Sequence, residues 1–347
     1  MPTFPERLCR SFGQDGVAPF SKERTCTVVQ GDDGEEMKCS MSMPVVALLV
    51  PFVPPQTDAL VRSIHLWSHP NYYPCEVSFT YAQHVDLVFQ LTESFARHAS
   101  VRHRLEDALR PVLQCFRSVR FLSMNLDEAQ RQYDKNRFSP SPSTMFHTLF
   151  GSEMMVKSYS HFFLMEPDVR PVRGGWVDRL VQEVTLDLVD FWQKGSMEYN
   201  HPHADHHLNG NGLYRLGSSD YNCFLEAVLA LRYPDSFDQG QFIIMQQPDK
   251  IHQQHRSIKS TYIMNIQDAY YEGFEADQPN TFLVHGKVVV SQLEQKNKVF
   301  LDSFSPPHPS YFDHVLPPSV PKQNISTRPA VKKEVFVCVC VYSILHH

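Results

Sequence analysis

The chain contains no run of about eighteen apolar residues, the least that a helix crossing a bilayer requires. Its longest apolar stretch, Val45 to Val53, is too short and too bounded by proline for that, and reads as a buried strand. The first forty residues are polar and lack the apolar centre of a signal peptide, so a soluble chain is expected. Positive charge is not in excess either: 32 Lys and Arg stand against 38 Asp and Glu, a formal net charge of −6. Nucleic acid is bound by a basic face, which this composition does not supply. A phosphate-bearing small molecule stays open, because one bound cation neutralises it locally. The eight cysteines (Cys9, Cys26, Cys39, Cys75, Cys115, Cys223, Cys338 and Cys340) show no C-x-x-C spacing, which excludes a zinc ribbon or a thioredoxin-like centre. They read as free buried thiols, with one or two disulfides left open for a secretory setting, where the sequon at Asn324 would also matter. Absent too are the P-loop of an NTPase, the G-x-G-x-x-G of a dehydrogenase and the G-x-S-x-G of an esterase. Glycine is scarce, 14 against 25 prolines, and long irregular connections are expected.

What is present alternates. Residues 1–43 carry no periodicity and read as a disordered lead-in. From Pro44 a β-rich run ends at Pro54, and a helix through Leu60, Ile64 and Trp67 follows. Val85 to Leu91, Val119 to Met124 and His161 to Met165 are further strands. Helices separate them, over about 95–115 and through Met145, Phe146, Leu149, Met154 and Met155. Gly174 to Leu180 opens another helix, and Tyr221 to Arg232 reads as one. Val189 to Gln193, Leu213 to Leu216 and Thr281 to Lys287 read as strands. Strand–helix alternation predicts a largely parallel sheet with crossover helices, and such sheets bind ligands beyond their strands' carboxyl ends. The main domain is expected over 44–304, and 305–347 reads as a proline-rich, poorly ordered tail ending in a Val-Cys alternation.

The fourth strand runs directly into Glu166-Pro167-Asp168. Two carboxylates at i and i+2 in extended geometry fall on one side, and Pro167 stiffens the link. Hard oxygen donors so placed suit Mg²⁺ or Mn²⁺, which in turn bridges a diphosphate. The plainer reading is an acidic turn in which Asp168 caps locally. Four histidines and Asp205 within His201 to His207 invite a zinc site, but there is no H-E-x-x-H spacing and Pro202 opposes a helix. A polar loop whose His207, Asn209 and Asn211 meet hydroxyl-rich ligands is the other reading. Asp235, Asp238 and Asp220 are candidates for the base that deprotonates an acceptor hydroxyl, or are ordinary turn and cap residues.

The stretch Phe162-Phe-Leu-Met-Glu-Pro-Asp-Val-Arg-Pro-Val-Arg-Gly-Gly-Trp176 resembles the metal-binding region of GT-A-fold glycosyltransferases. Phe191 to Ser196 and His207 to Tyr214 look like the acceptor-side strand and loop of uncharacterised glycosyltransferase-like proteins of algae and protists. The resemblance covers about residues 44–290. It implies a GT-A, Rossmann-like three-layer α/β sandwich with a mostly parallel central sheet. By position, Asp168 would be the principal ligand of Mn²⁺ or Mg²⁺. Glu166 would reach the metal through water or bond the ribose, and His285 would be a late histidine ligand. Lys287 would meet a phosphate, Phe52 would lie over the nucleotide base, and Glu93 would touch base or ribose. Trp192, His207, Asn209 and Asn211 would face the donor sugar or acceptor. The activity implied is metal-dependent transfer of a hexose or pentose from a UDP- or GDP-sugar to a hydroxyl of a glycan, glycoprotein or glycolipid. The place implied is the Golgi lumen where an anchor precedes the chain, and the cytosol otherwise. Two alternatives stand beside it: a non-catalytic glycan- or nucleotide-binding module on a degenerate fold of this kind, and a zinc hydrolase built on the histidine loop.

Overall fold

Val46, Leu48 and Val50 of one strand pack into one apolar cluster, while Ala47 and Leu49 of the same strand pack into another. Side chains alternate across a strand, so two clusters on one strand mean a sheet covered on both faces. The computed structural model describes residues 44–76, 81–128, 140–185, 191–197, 208–230, 237–246, 256–265 and 273–304, together with the backbone of two strands before them.

Those two, β1 (Arg24–Gly31) and β2 (Gly34–Met41), pair antiparallel within the stretch that reads as an aperiodic lead-in. The elements that follow are β3 (Val46–Phe52), α1 (Thr57–Trp67), β4 (Val85–Leu91), α2 (Ala99–Leu109), β5 (Ser118–Ser123), α3 (Pro140–Phe150), α4 (Glu153–Ser158) and β6 (His161–Leu164). After them come β7 (Val169–Pro171), α5 (Trp176–Thr185), β8 (Gln193–Met197), β9 (Leu208–Arg215), α6 (Ser219–Ala230) and α7 (Phe237–Met245). The last are β10 (Ser257–Lys259), β11 (Ile263–Asn265), α8 (Phe274–Asp277), β12 (Leu283–His285), α9 (Lys287–Lys296) and α10 (Lys298–Ser303).

The main sheet runs β10-β8-β9-β6-β3-β4-β5. Its pairs are parallel except where β9 meets β6 and β8, so β9 alone is reversed. Trp67, Leu105, Leu109, Trp176 and Val181 cover one face from α1, α2 and α5. Phe146, Tyr221, Phe224, Phe237 and Ile244 cover the other from α3, α6 and α7. The result is the three-layer α/β sandwich with a mostly parallel sheet that the sequence predicts. A smaller sheet, β11-β12-β7, with β12 antiparallel to β7, shares the apolar cluster on one face of the main sheet through Val169, Ile263 and Leu283. Among the described residues, no helix is long and apolar enough to cross a membrane.

Several boundaries move for local reasons. Pro111 cannot continue the α2 ladder, and residues 110–115 tighten into a 3₁₀ turn instead of prolonging the helix. Ser152 interrupts the helix expected through Met155, accepting the Met155 N–H as the cap of α4. The strand expected at Val189 to Gln193 begins at Gln193.

The reading of the cysteines as free thiols is corrected. Cys75 and Cys115 form a disulfide, with Cα atoms 5.3 Å apart and a sequence separation of 40, and Cys223 is disulfide-bonded as well. Buried at 5% and 0% exposure, Cys75 and Cys115 tie the segment after α1 to the 3₁₀ turn that follows α2, in the same apolar cluster as Trp67 and Trp176. Closing a loop of this length stabilises a fold by about 2–4 kcal/mol. A Cys75→Ser/Cys115→Ser variant is therefore expected to unfold at a lower urea midpoint than the parent, by that free energy. Coincident unfolding curves would contradict the stabilising role.

Candidate metal centre

At the carboxyl end of β6 the chain turns sharply. The Val169 N–H donates to the Glu166 carbonyl at 3.0 Å, closing a turn with Pro167 in its second position, where a fixed φ favours it. The two carboxylates thus converge through a closed turn and not through the extended geometry expected from the sequence. The turn feeds β7, and β7 pairs with β12 so that Val169 lies opposite His285. Sheet pairing therefore carries a histidine from over a hundred residues away to the acidic turn.

The His285 Nε2 lies 3.1 Å from Glu166 Oε2 and 3.2 Å from Asp168 Oδ1. One donor atom from each of the three residues falls within 4.8 Å of the others. His285 is largely buried, whereas both carboxylates remain about half exposed, so the cluster is backed by protein and open on one side. Burial alone would lower the His285 pKa, but hydrogen bonds and charge from Asp168 and Glu166 outweigh it and raise it to about 10. Burial works to raise the Asp168 pKa, and the hydrogen bond and charge of His285 overcome it, holding the carboxyl below its usual value. A proton on His285 thus holds two anionic oxygens together, where a divalent cation would compete for the same three side chains.

The donor set fits such a cation. Two carboxylate oxygens and an imidazole nitrogen suit Mn²⁺, and a hard octahedral cation with bonds of about 2.1 Å holds neighbouring donors about 3 Å apart. The two distances to Nε2 already have that size.

Glu166 is fixed from behind. The Asn211 Oδ1 accepts the Glu166 N–H, and its Nδ2 donates to Glu166 Oε2, both at 2.8 Å. Asn211 is fully buried and comes from the reversed strand β9, one residue before the Gly212–Leu164 pair. Gly286, with φ at 144°, lets the chain leave His285 and enter α9 in a conformation that side-chain-bearing residues rarely adopt.

The other expected site residues divide. Asp238 lies in the first turn of α7 beside β9, where a Cβ on Gly210 would stand 3.7 Å from its Oδ2. It and Glu166 both help hold the buried Tyr214 hydroxyl protonated, after burial itself. Glu93 follows β4 on the same sheet edge as Glu166 and pairs with His98 Nε2 at 3.0 Å. Three assignments are corrected. Phe52 is 3% exposed and packs edge-on against Phe89, so its ring belongs to the core and not over a base. Trp192, 4% exposed, stacks on Tyr221 and presents no face to a sugar. Asn211 holds Glu166 and is sealed from any sugar. The side chains of Asn209 and Lys287 lie outside the described residues, as do Asp235 and the whole of 201–207, including His207; Lys287 begins α9 and does not extend a strand. Sequence reading missed Asn211's actual partner and two arginines, Arg170 and Arg173, whose i, i+3 spacing after the acidic turn was the available signal.

No protein-family model matches the chain, and no curated protein matches it. Solved structures do. The galactosyltransferase LgtC, in complex with donor and acceptor sugar analogs, aligns with a TM-score of 0.46 at 11% identity, over 76% of this chain and 98% of that one. Mouse xyloside xylosyltransferase 1 aligns at 0.44 and 13%, over 70% and 98%. A glycosyltransferase involved in glycosylation of the major capsid of PBCV-1 aligns at 0.38 and 10%, over 74% and 100%. Those structures are glycosyltransferases. At these identities and TM-scores the likeness carries no conclusion about this chain's family, donor, acceptor or metal.

Proposed function

We propose that the chain is a glycosyltransferase that moves a sugar from a nucleoside diphosphate sugar to a hydroxyl acceptor, with Mn²⁺ or Mg²⁺ held by Asp168, Glu166 and His285. The observation that carries this reading is the convergence of those three side chains at the carboxyl end of β6, on the half-exposed side of the cluster. In an open α/β sheet this is the edge where ligands bind. When bound, the cation supplies Lewis-acid stabilisation of charge on the departing diphosphate, worth several kcal/mol.

The protein's own groups have definable tasks. Asp168, held ionised, keeps a negative charge facing the opening. Asn211 fixes which oxygen of Glu166 turns toward His285. The Lys287 position, two residues past His285, suits a phosphate contact, and Asp238, in the first turn of α7, is the carboxylate assigned to accept a proton from an acceptor hydroxyl. The donor is a UDP- or GDP-sugar and the acceptor a glycan, glycoprotein or glycolipid. The Cys75–Cys115 disulfide supports work in an oxidising secretory compartment such as the Golgi lumen.

The test is release of nucleoside diphosphate from a panel of UDP- and GDP-sugars, with excess Mn²⁺ and again with EDTA. Release that depends on the cation, from at least one donor, is expected. Saturable donor binding without release over long incubation would replace the enzyme by a binding module, and neither binding nor release would remove the proposal altogether.

A further inference from the structure

The pairing that brings His285 to the acidic turn is short. Only three residues of β12 face three of β7, and one of these, Pro171, has no N–H to give the ladder. A three-residue pair of this kind is marginal by itself. β11 pairs with the other side of β12, the Val172 N–H donates to the Phe282 carbonyl at 2.9 Å, and side chains add to this.

Two arginines of the segment after the turn do so, one on each side of His285. Arg170 is 1% exposed. Its Nη1 donates to the carbonyls of Pro167 at 2.7 Å and Val169 at 3.0 Å, gripping the turn from within. Its Nη2 donates at 2.9 Å to Glu294 Oε1, on the helix that leaves His285. Arg173 holds the entry. Its Nε donates to the Thr281 carbonyl at 2.7 Å, and its Nη2 to those of Glu275 at 2.6 Å and Gln278 at 2.8 Å, all in the stretch that leads into β12. The same guanidinium lies over the Phe282 ring, 5.4 Å from its centre. One planar fork thus gathers three carbonyls, which a lysine ammonium on its flexible stem cannot do with the same geometry.

We infer that Arg170 and Arg173 are positioning residues for the cation site: they lock the strand bearing His285 against the turn bearing Glu166 and Asp168. This rests on the metal reading above for its consequence, though the clamp itself does not. Groups that orient metal ligands typically change affinity by about 10- to 100-fold when replaced.

The experiment is a double-mutant cycle on the full chain, with Mn²⁺ alone as the probe in calorimetric titration. Arg173→Lys is expected to weaken Mn²⁺ binding about tenfold, and to do so less than about twofold once His285→Ala is already present, because the arginine acts through that histidine. Arg170→Lys should also weaken binding but keep part of its loss beside His285→Ala, because Arg170 holds the turn directly as well, and thermal melts check that each variant is folded. For Arg173→Lys, equal losses with and without His285, or no loss at all, would overturn the inference. Hydrogen exchange supplies a readout free of metal: exchange across residues 281–286 should speed up in Arg173→Lys while β3 and β4 stay protected. If the parent binds no Mn²⁺, the metal reading fails by that result, and the exchange decides the clamp. Unchanged protection over 281–286 would then dismiss it.

Discussion

Replacing Asp168 by Asn is expected to slow cation-dependent release of nucleoside diphosphate about 100- to 1000-fold without unfolding the protein. The magnitude follows from the Lewis-acid contribution, several kcal/mol, at about 1.4 kcal/mol for each tenfold in rate. Asn keeps the shape of the side chain and removes only its charge. Because Asp168 is about half exposed, the neutral amide is not stranded in the core, and a melting temperature close to that of the parent is expected. His285 keeps Glu166 as its second acceptor, so the turn stays closed. Mn²⁺ titration should show a matching loss of affinity. Turnover equal to the parent's would mean that the acidic turn holds no catalytic cation, and the enzymatic reading would fall with it.

The parts of this site that sequence reading reached are those with a local signature. β3 is a continuous apolar run, and β4 and β6 are mostly apolar, because both their faces are covered, and the Glu-Pro-Asp turn follows β6 after Met165. The parts it missed are set by contacts far along the chain. Asn211 meets Glu166 across 45 residues, and Arg170 meets Glu294 across 124. Nothing in the neighbourhood of either residue in sequence names the partner. The reversal of β9 was hidden as well. Its first half, Leu208-Asn-Gly-Asn-Gly212, is too polar to read as a strand, yet it pairs closely because Gly195 and Gly212 face each other, where a Cβ on Gly212 would stand 3.0 Å from the Lys194 carbonyl. Phe52 and Trp192 failed for another reason. An aromatic at a strand end looks the same in sequence whether it caps a core or lines a cleft, and packing against Phe89 and Tyr221 decides it.

The largest loss of stability from a single substitution is expected far from this site, at Asp86. It is the second residue of β4, paired with Ala47 and Ser118 at the amino ends of the parallel strands, opposite the acidic turn. Its side chain is fully buried. Arg117 donates to it twice, Nε to Oδ1 at 2.8 Å and Nη2 to Oδ2 at 2.7 Å, and the Tyr159 hydroxyl donates to Oδ2 at 2.9 Å. Removing one partner of a buried ion pair costs about 3–5 kcal/mol, because the other is left desolvated. Arg117 is a third exposed and recovers some hydration, so Asp86→Ala is expected at about 3 kcal/mol, the low end of that range. The pH dependence has a definite sign. Burial would raise the Asp86 pKa, but hydrogen bonds from Arg117, Ser118 and Tyr159 bring it below its ordinary value. A carboxyl whose pKa is lower folded than unfolded stabilises fully above the unfolded value of about 3.9, and that contribution disappears as pH falls toward the folded one. Urea midpoints of parent and variant should therefore differ by a constant free energy from pH 7 to about 5, and converge below about 4. A gap under about 1 kcal/mol at pH 7 would place the pair among ordinary surface ion pairs. A gap that persists unchanged into acid would show that the stabilisation comes from packing around the β4 backbone and not from the charge.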